Sequence, residues 1–317
     1  MISQLQRGLG NLILFVVNET SGNGRSRSVW KRLEAELVRL GTSYDRISTS
    51  SAEQARILVR ERIDRGDLKA VAVVGGDGTL HGLLPLLAGS GIPLGLIPSG
   101  SGNDTARALG IPRNPLRALE LIVAGHTRKI DLLETFEENG QSQHTLTAVA
   151  IGLDAAVAAD VNGSSYKKWC NKLGLGSLAY VIGLLRILGK FKPRTVKVTI
   201  DGTTRHFERC WLSAVTNVPT YGGGLRISPS AQPDDRLLHV CVVHGCSVVR
   251  FLTIFPTVLF GKHVRWTRYV TMLSGSAAEI ESEIAMLAFG DGEPVGHTPL
   301  RAEIRPGQLD FLISASG

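Results

Sequence analysis

Apolar residues along the first 130 or so positions come in short blocks, and most blocks run into a polar loop that hands over to a helical period. Asn11 to Val17, Tyr44 to Ile47, Ala70 to Val74 and Ile92 to Ile97 read as strands. Between them Val29, Leu33, Leu37 and Leu40 recur at helical spacing, with Gly41 as a stop. Ala52 to Arg65 follows a Ser-Thr cluster, Ser48 to Ser51, that can cap a helix. Thr105 to Leu109, stopped by Gly110 and Pro112, and Pro115 to Ala124 supply further helices, and Arg128 to Leu133 a strand with Asp131 inside it. Alternating strand and helix predicts an open, mostly parallel α/β sheet.

From Thr145 the texture changes. Thr145 to Ala150, Arg194 to Ile200, Arg209 to Thr216, Leu237 to Val243, Tyr269 to Leu273, Ala278 to Ile280 and Ala285 to Phe289 are β-rich, with helices expected at Leu175 to Leu188 and Val248 to Phe260. Pro256 interrupts the second helix, so a kink or early stop is expected there. The fold class expected is α/β plus all-β: an open, mostly parallel α/β domain over 1–131 and a larger, mostly antiparallel, β-sandwich-like domain over 132–302. Residues 303–317 are a candidate return to the first domain through the apolar run Leu309 to Ile313.

A chain of 317 residues, 43% hydrophobic, can fill two separate cores. Leu12 to Val17 is followed by Asn18, Glu19 and a glycine loop rather than a small-residue cleavage site, so it reads as a first strand and the protein as cytoplasmic. Leu178 to Phe191, the best candidate for a membrane span, contains Arg186 and Lys190 and is too short. Cys170, Cys210, Cys241 and Cys246 are scattered, as reduced thiols would be. His239, Cys241, His244 and Cys246 crowd together, but strand alternation argues against a metal site.

The formal charge of +7 is uneven. Between Asp160 and Asp201 the only charged residues are Lys167, Lys168, Lys172, Arg186, Lys190, Lys192, Arg194 and Lys197; between Asp235 and Glu279 they are Arg236, Arg250, Lys262, Arg265 and Arg268. Trp169, Leu173, Leu175, Tyr180, Leu184, Phe191 and Trp266 are interleaved with them. That mixture suits an anionic membrane surface at which the protein would be peripheral, on the inner face; a solvated basic face is the alternative. Nucleic acid is not expected, because the bases flank apolar helices rather than aromatic strand platforms.

The candidate chemistry sits in the loops. Val71 to Val74 runs into Gly75-Gly76-Asp77-Gly78-Thr79, Ile92 to Ile97 into Pro98-Ser99-Gly100-Ser101-Gly102-Asn103-Asp104, and the first strand into Asn18 to Gly24. One such loop is a tight turn as readily as a phosphate cradle. Three at the carboxyl edge of a parallel sheet favour the cradle, with Asp77 beside the phosphates where magnesium would sit.

With these loops in place, the chain resembles the diacylglycerol kinase catalytic-domain family of lipid kinases, in its bacterial branch, which is also similar to sphingosine and ceramide kinases. Asn18 to Gly22 resembles N-P-x-S-G, Gly75 to Thr79 matches G-G-D-G-T, and Gly100 to Asp104 with Ala106-Arg107 resembles G-T-x-N-D-x-A-R. Ile130-Asp131, Ile151-Gly152 and Gly176 to Tyr180 match the I-D, I-G and G-x-x-A-Y elements. Asn217 with Gly222-Gly223-Gly224, Pro229 to Leu238, and Asp291-Gly292-Glu293 complete an ordered set. Glu19, Thr20, Ser101 and Arg236 depart from it; Arg236 stands where a glycine is usual.

The resemblance implies an ATP-dependent, magnesium-dependent lipid kinase. ATP would be bound by Asn18, Ser21 and Gly22, by Thr49, by Gly75, Gly76, Asp77, Gly78, Thr79, Leu80 and His81, and by Ser101 and Asn103. Asp77 would orient magnesium or water at the triphosphate, although the matching aspartate of eukaryotic relatives is proposed as the base. In the bacterial branch the late glutamate is the base, which makes Glu293 the acceptor of the lipid hydroxyl's proton, with Asp291 beside it; a hairpin turn is the plain alternative for Asp291-Gly292. A second, structural magnesium is implied at Asp235 with Gln232 and the backbone carbonyl of Leu237, and Asp131 joining through water. The acceptor lipid would lie in a cleft between the domains. Diacylglycerol, phosphatidylglycerol and a sphingoid base all fit the same donor site, and the oligomeric state is open between a single copy and a homodimer. The rival readings are an NAD kinase-like enzyme, which shares G-G-D-G, and a catalytically silent, nucleotide-gated membrane-binding protein.

Overall fold

The computed structural model describes residues 12–137, 140–164, 166, 170 and 176–314. Asn11, Lys167, Lys168, Trp169, Lys172, Leu173, Leu175 and the side chain of Tyr180, all named in the sequence reading, lie outside the described residues. The chain divides into two compact units, Met1–Ile130 with Gln308–Gly317, and Asp131–Gly307.

The first unit is a parallel sheet wrapped by helices. Its elements are β1 (Leu12–Asn18), α1 (Ser21–Leu40), β2 (Tyr44–Thr49), α2 (Ala52–Asp64), β3 (Leu68–Gly75), α3 (Asp77–His81), α4 (Leu84–Leu87), β4 (Leu94–Pro98), α5 (Asp104–Ala108) and α6 (Pro115–Ala124). The strands run in the order β2-β1-β3-β4, with Ile13 opposite Tyr44 and Val71 opposite Leu94. The interiors of β1, β3 and β4 are buried, which explains why they read as unbroken apolar runs. Trp30 of α1 packs on Phe15 and Tyr44, ring centroids 5.4 and 5.9 Å away, and seals one face. Ser51 Oγ caps α2 by accepting from Gln54 N–H at 3.2 Å, and Asn114 caps α6 at Leu116 N–H. α1 begins irregularly: Gly22, Asn23 and Gly24 have φ of 58, 58 and 84°, so a left-handed turn precedes the regular helix.

Two strands carry the chain between units: β5 (Thr127–Phe136) and the last strand. The second unit continues with β6 (Ser142–Thr145), β7 (Ala148–Gly152), α7 (Leu153–Gly163), α8 (Gly176–Leu188), β8 (Arg194–Ile200), β9 (Thr203–Cys210), β10 (Leu212–Thr216) and β11 (Leu238–Val243). After α9 (Val248–Ile254) come β12 (Val270–Gly275), β13 (Ala277–Ser282), β14 (Leu287–Gly290), β15 (Glu293–His297) and β16 (Leu300–Leu312). One antiparallel sheet has the order β12-β11-β10-β7-β14-β15. In the other, β13 lies between β8 and the first part of β16, with β9 beyond β8. The far end of β16 belongs to the first unit, where Phe311 pairs with Leu94.

Alternation divides the central strands between two cores. Val149 and Ile151 of β7, Val215 of β10 and Val240 and Val242 of β11 pack with Val196 and Val198 of β8 and Ala278 and Ile280 of β13. Ala148, Ala150, Leu212, Ala214, Cys241 and Val243 point the other way, under the helices, with Trp211 and Phe251. The expected helix Val248 to Phe260 is α-helical only to Ile254; a 3-10 turn, Phe255–Phe260, replaces it where Pro256 removes an amide donor. All described cysteines are buried free thiols, and burial pushes Cys241 up to about 12. Among the described residues no helix is long and apolar enough to cross a membrane.

Candidate active site

In the first unit the glycine loops after β1, β3 and β4 meet backbone to backbone. A Cβ at Gly100 would stand 2.5 Å from the Cα of Gly76, and one at Gly22 only 2.0 Å from the carbonyl oxygen of Ser99. Those positions therefore accept nothing larger than glycine. Asn18 Nδ2 donates to Thr79 Oγ1 at 2.8 Å, while its Oδ1 accepts from Thr20 N–H and Oγ–H. Ser26 and Ser99 share a buried hydroxyl hydrogen bond of 2.8 Å. β2 joins through Glu19 N–H, which donates to Thr49 O at 2.9 Å.

Asp77 ties two of these loops together. Its Oδ2 accepts from Asp104 N–H at 3.1 Å and its Oδ1 from Thr105 N–H at 3.0 Å, so each carboxylate oxygen is engaged by the start of α5. Asn103, at φ 52°, closes the same loop on itself, accepting from Gly100 N–H and donating to Gly100 O, both at 2.9 Å. Arg107 pairs with Asp104 and donates to Gly102 O. The result is a fixed rim with Ser101 and Gly102 exposed on it. Thr49 and Thr79 are buried with their hydroxyls engaged, and the Leu80 side chain lies in the core, so only its backbone could meet a ligand. His81 is half-buried.

The second unit holds the late aspartate in a different clamp. Asp291, at φ 49°, accepts from Leu146 N–H and Thr147 N–H at 2.8 Å each and from Thr147 Oγ–H at 2.5 Å, and its own N–H donates to Ala148 O. Gly292 O accepts from Asn162 Nδ2 at 3.0 Å, tying the turn to the end of α7. A Cβ at Gly290 would reach 2.3 Å from Thr145 Oγ1, so the turn sits tight on its neighbour. Glu293 follows at the start of β15, exposed, and none of the described hydrogen bonds or ion pairs engages its carboxylate.

Asp131, buried, accepts from Arg236 N–H and Gly307 N–H at 2.7 Å each, and Asn217 Nδ2 donates to its carbonyl at 2.7 Å. Arg236, the residue in the glycine position, has φ 63°, so the turn keeps a glycine-like conformation with an exposed arginine in it. Asp235 accepts from Leu237 N–H at 2.9 Å and Gln232 N–H at 3.2 Å, and its Oδ2 lies 3.0 Å from His239 Nε2. Gln232, Asp235 and Leu237 are thus together at the surface. Among the described residues no group of three or more His, Cys, Asp or Glu side chains could hold a metal. The solvent-reachable Asp235 carboxylate, with the Gln232 carbonyl accepting from Asp235 N–H beside it, offers hard oxygens of the kind a hydrated magnesium ion takes.

Sequence reasoning missed the partners that give these residues their geometry: Ser26 with Ser99, the α5 amides on Asp77, Asn162 on the Asp291 turn, and His239 on Asp235. Asp154 was also missed; it hydrogen-bonds Tyr221, next to Gly222-Gly223-Gly224, and burial raises its carboxyl. Its only local signal is a lone acid in an apolar stretch after Ile151-Gly152.

Comparison with known proteins matches residues 12–135 to the diacylglycerol kinase catalytic domain and residues 147–313 to the YegS C-terminal NAD kinase beta sandwich-like domain. A diacylglycerol kinase of Mycobacterium tuberculosis (strain ATCC 25618 / H37Rv) is 34% identical over 310 residues, covering 98% of this chain and 97% of its own. A diacylglycerol kinase of Bacillus subtilis (strain 168) is 27% identical over 293 residues, 90% of each chain. The crystal structure of a diacylglycerol kinase from Bacillus anthracis str. Sterne shares the fold at TM-score 0.71 and 23% identity, covering 96% of this chain and 98% of that one. The ordered loops, the two-part match and the identity over nearly the whole length place this chain in the diacylglycerol kinase catalytic-domain family of lipid kinases, with a YegS-type C-terminal domain.

Proposed function

We propose that this protein transfers the γ-phosphate of ATP to a hydroxyl group of a membrane lipid. The observation that carries the reading is the division of labour among the acids: the carboxylates of Asp77 and Asp291 are engaged by N–H groups of the chain, and among the described residues no hydrogen bond or ion pair engages that of Glu293, which is exposed. Phosphoryl transfer needs positioning, charge neutralisation and a proton acceptor more than covalent chemistry. The loops after β1, β3 and β4 offer backbone N–H groups and the hydroxyls of Ser21 and Ser101 to the triphosphate. Asp77 ties the loops after β3 and β4 together, and Glu293 takes the proton of the attacking lipid hydroxyl, aimed by the Asp291 clamp.

A magnesium ion bound with ATP would supply charge neutralisation at the transferring phosphoryl group. A second ion would be structural, held by Asp235 and the carbonyls of Gln232 and Leu237, with Asp131 beside it. The acceptor lies in an anionic bilayer that the protein meets from one side, and the basic, acid-free stretches of the second unit support this.

The test is incubation with labelled ATP, magnesium and a total bacterial lipid extract, with products identified by mass spectrometry and NAD offered in a parallel arm. A labelled lipid phosphate is expected, and Glu293→Gln should abolish it. Label in NADP, or ATP binding with no labelled lipid across the extract, would overturn the reading.

A further inference from the structure

The segment from Val248 through Arg265 carries large apolar side chains both in the core and at the surface. One side belongs to the core, where Phe251, Ile254 and Val258 are buried and Phe251 stacks between Trp211 and Phe255 at 5.0 and 5.7 Å. The other side meets solvent. Val249 is 71% exposed and Phe260 70%, and Val248, Leu252 and Leu259 are exposed as well. A surface helix of a water-soluble protein ordinarily turns a polar face outward. Contiguous exposed side chains of this kind mark an interaction surface.

The charges around the stripe say which surface it meets. Arg250, Lys262, Arg265 and Arg268 border it, and no Asp or Glu occurs between Asp235 and Glu279. Several of these cations lie over aromatic rings: Arg250 over Trp266 and Tyr269 at 5.6 and 5.8 Å, Arg268 over Tyr269 at 5.7 Å, and Lys262 over Phe260 at 5.9 Å. Aliphatic and aromatic side chains ringed by bases are the composition of an interfacial anchor. A second copy of the chain is a poor occupant, because a two-fold contact through this patch would set its bases against their own counterparts.

We propose that Val248 to Arg265 is the element that docks this protein onto an anionic bilayer. Val249, Leu259 and Phe260 enter the headgroup layer, and Lys262, Arg265 and Arg268 lie against lipid phosphates. The inference rests on the lipid-kinase reading for the reason to be there, but binding itself needs no catalysis, so the two fail separately.

The experiment uses the full chain in vesicle sedimentation, with vesicles of phosphatidylcholine alone or mixed with phosphatidylglycerol. Wild type, Val249→Ser with Phe260→Ser, and Lys262→Glu with Arg265→Glu are compared, each checked for an unchanged melting transition and unchanged phosphorylation of a short-chain diacylglycerol in detergent. Wild type should bind the anionic vesicles in preference, salt should weaken that binding, and each double variant should lose at least tenfold. Binding by both variants at the wild-type level overturns the proposal. So does a wild-type dimer that the serine variant dissociates while vesicle binding is unchanged. Loss of vesicle binding by the variants, with no label entering any lipid of a total bacterial extract in the wild type, supports the docking element and removes the kinase reading.

Discussion

Asp77 follows β3 and Asp291 follows β14, each with glycine after it, and each accepts backbone N–H groups of a distant segment on both carboxylate oxygens. Asp77 stands in helical backbone and draws in the first amides of α5, so its clamp fuses two loops into one rim. Asp291 stands at φ 49°, takes the Thr147 hydroxyl in addition to two amides, and leaves its hairpin open at Glu293. The same acid in the same local motif thus builds a cradle in one unit and presents a carboxylate in the other. Both aspartates have hydrogen-bonding partners, whereas none of the described hydrogen bonds or ion pairs engages the Glu293 carboxylate, and the proposal of Glu293 as proton acceptor rests on that difference.

Substitutions can break this comparison. The largest effect belongs to Glu293→Gln, a loss of about 10²–10⁴-fold in phosphate transfer, with the melting temperature unchanged because the described structure gives that carboxylate no partner. Asp291→Asn comes next. One of its oxygens becomes an NH₂ group that faces a donor, costing roughly 3 kcal/mol of stability. Its kcat should fall as Glu293 loses its aim, with ATP affinity held; calorimetric melting and steady-state kinetics measure both. Asp77→Asn should cost roughly 2 kcal/mol for the same reason, but here KM for ATP rises and the acceptor KM stays. If the two kinetic signatures were exchanged, the division between cradle and base would be wrong.

Smaller changes sharpen it. Arg236→Gly relieves a left-handed conformation held by an exposed arginine and should add up to about 1 kcal/mol in chemical denaturation. Asp154→Asn tests burial in the second unit. Burial raises the folded-state Asp154 carboxyl above its unfolded value, so its contribution to stability is fully present below the unfolded value and is lost as pH rises through the raised one. The asparagine variant should match wild type near pH 4 and melt progressively higher than wild type toward pH 8.

Much of the fold could be read from the chain because its central strands are buried on both faces, as Ala148 to Gly152 and Leu238 to Val243 show, and such runs stand out. The glycine loops were legible for the same reason: close backbone approach at Gly22 and Gly100 leaves one residue type that fits. β9 was not, since Thr203 to Cys210 buries little beyond Phe207 and Cys210 and reads as a polar loop. The full length of β16 was hidden by Pro306-Gly307 within it. The clamps were invisible because their partners are remote: Asp291 and Leu146 are 145 positions apart, and no local pattern records which amide a carboxylate will find.

The most direct test of the account measures ATP binding and single-turnover phosphate transfer to lipid on the same preparation of Glu293→Gln. ATP affinity within about twofold of wild type, with transfer reduced at least about 100-fold, is the expected result. Transfer within about tenfold of wild type at saturating ATP would contradict the assignment of the proton acceptor, and with it the division of roles between Asp77, Asp291 and Glu293.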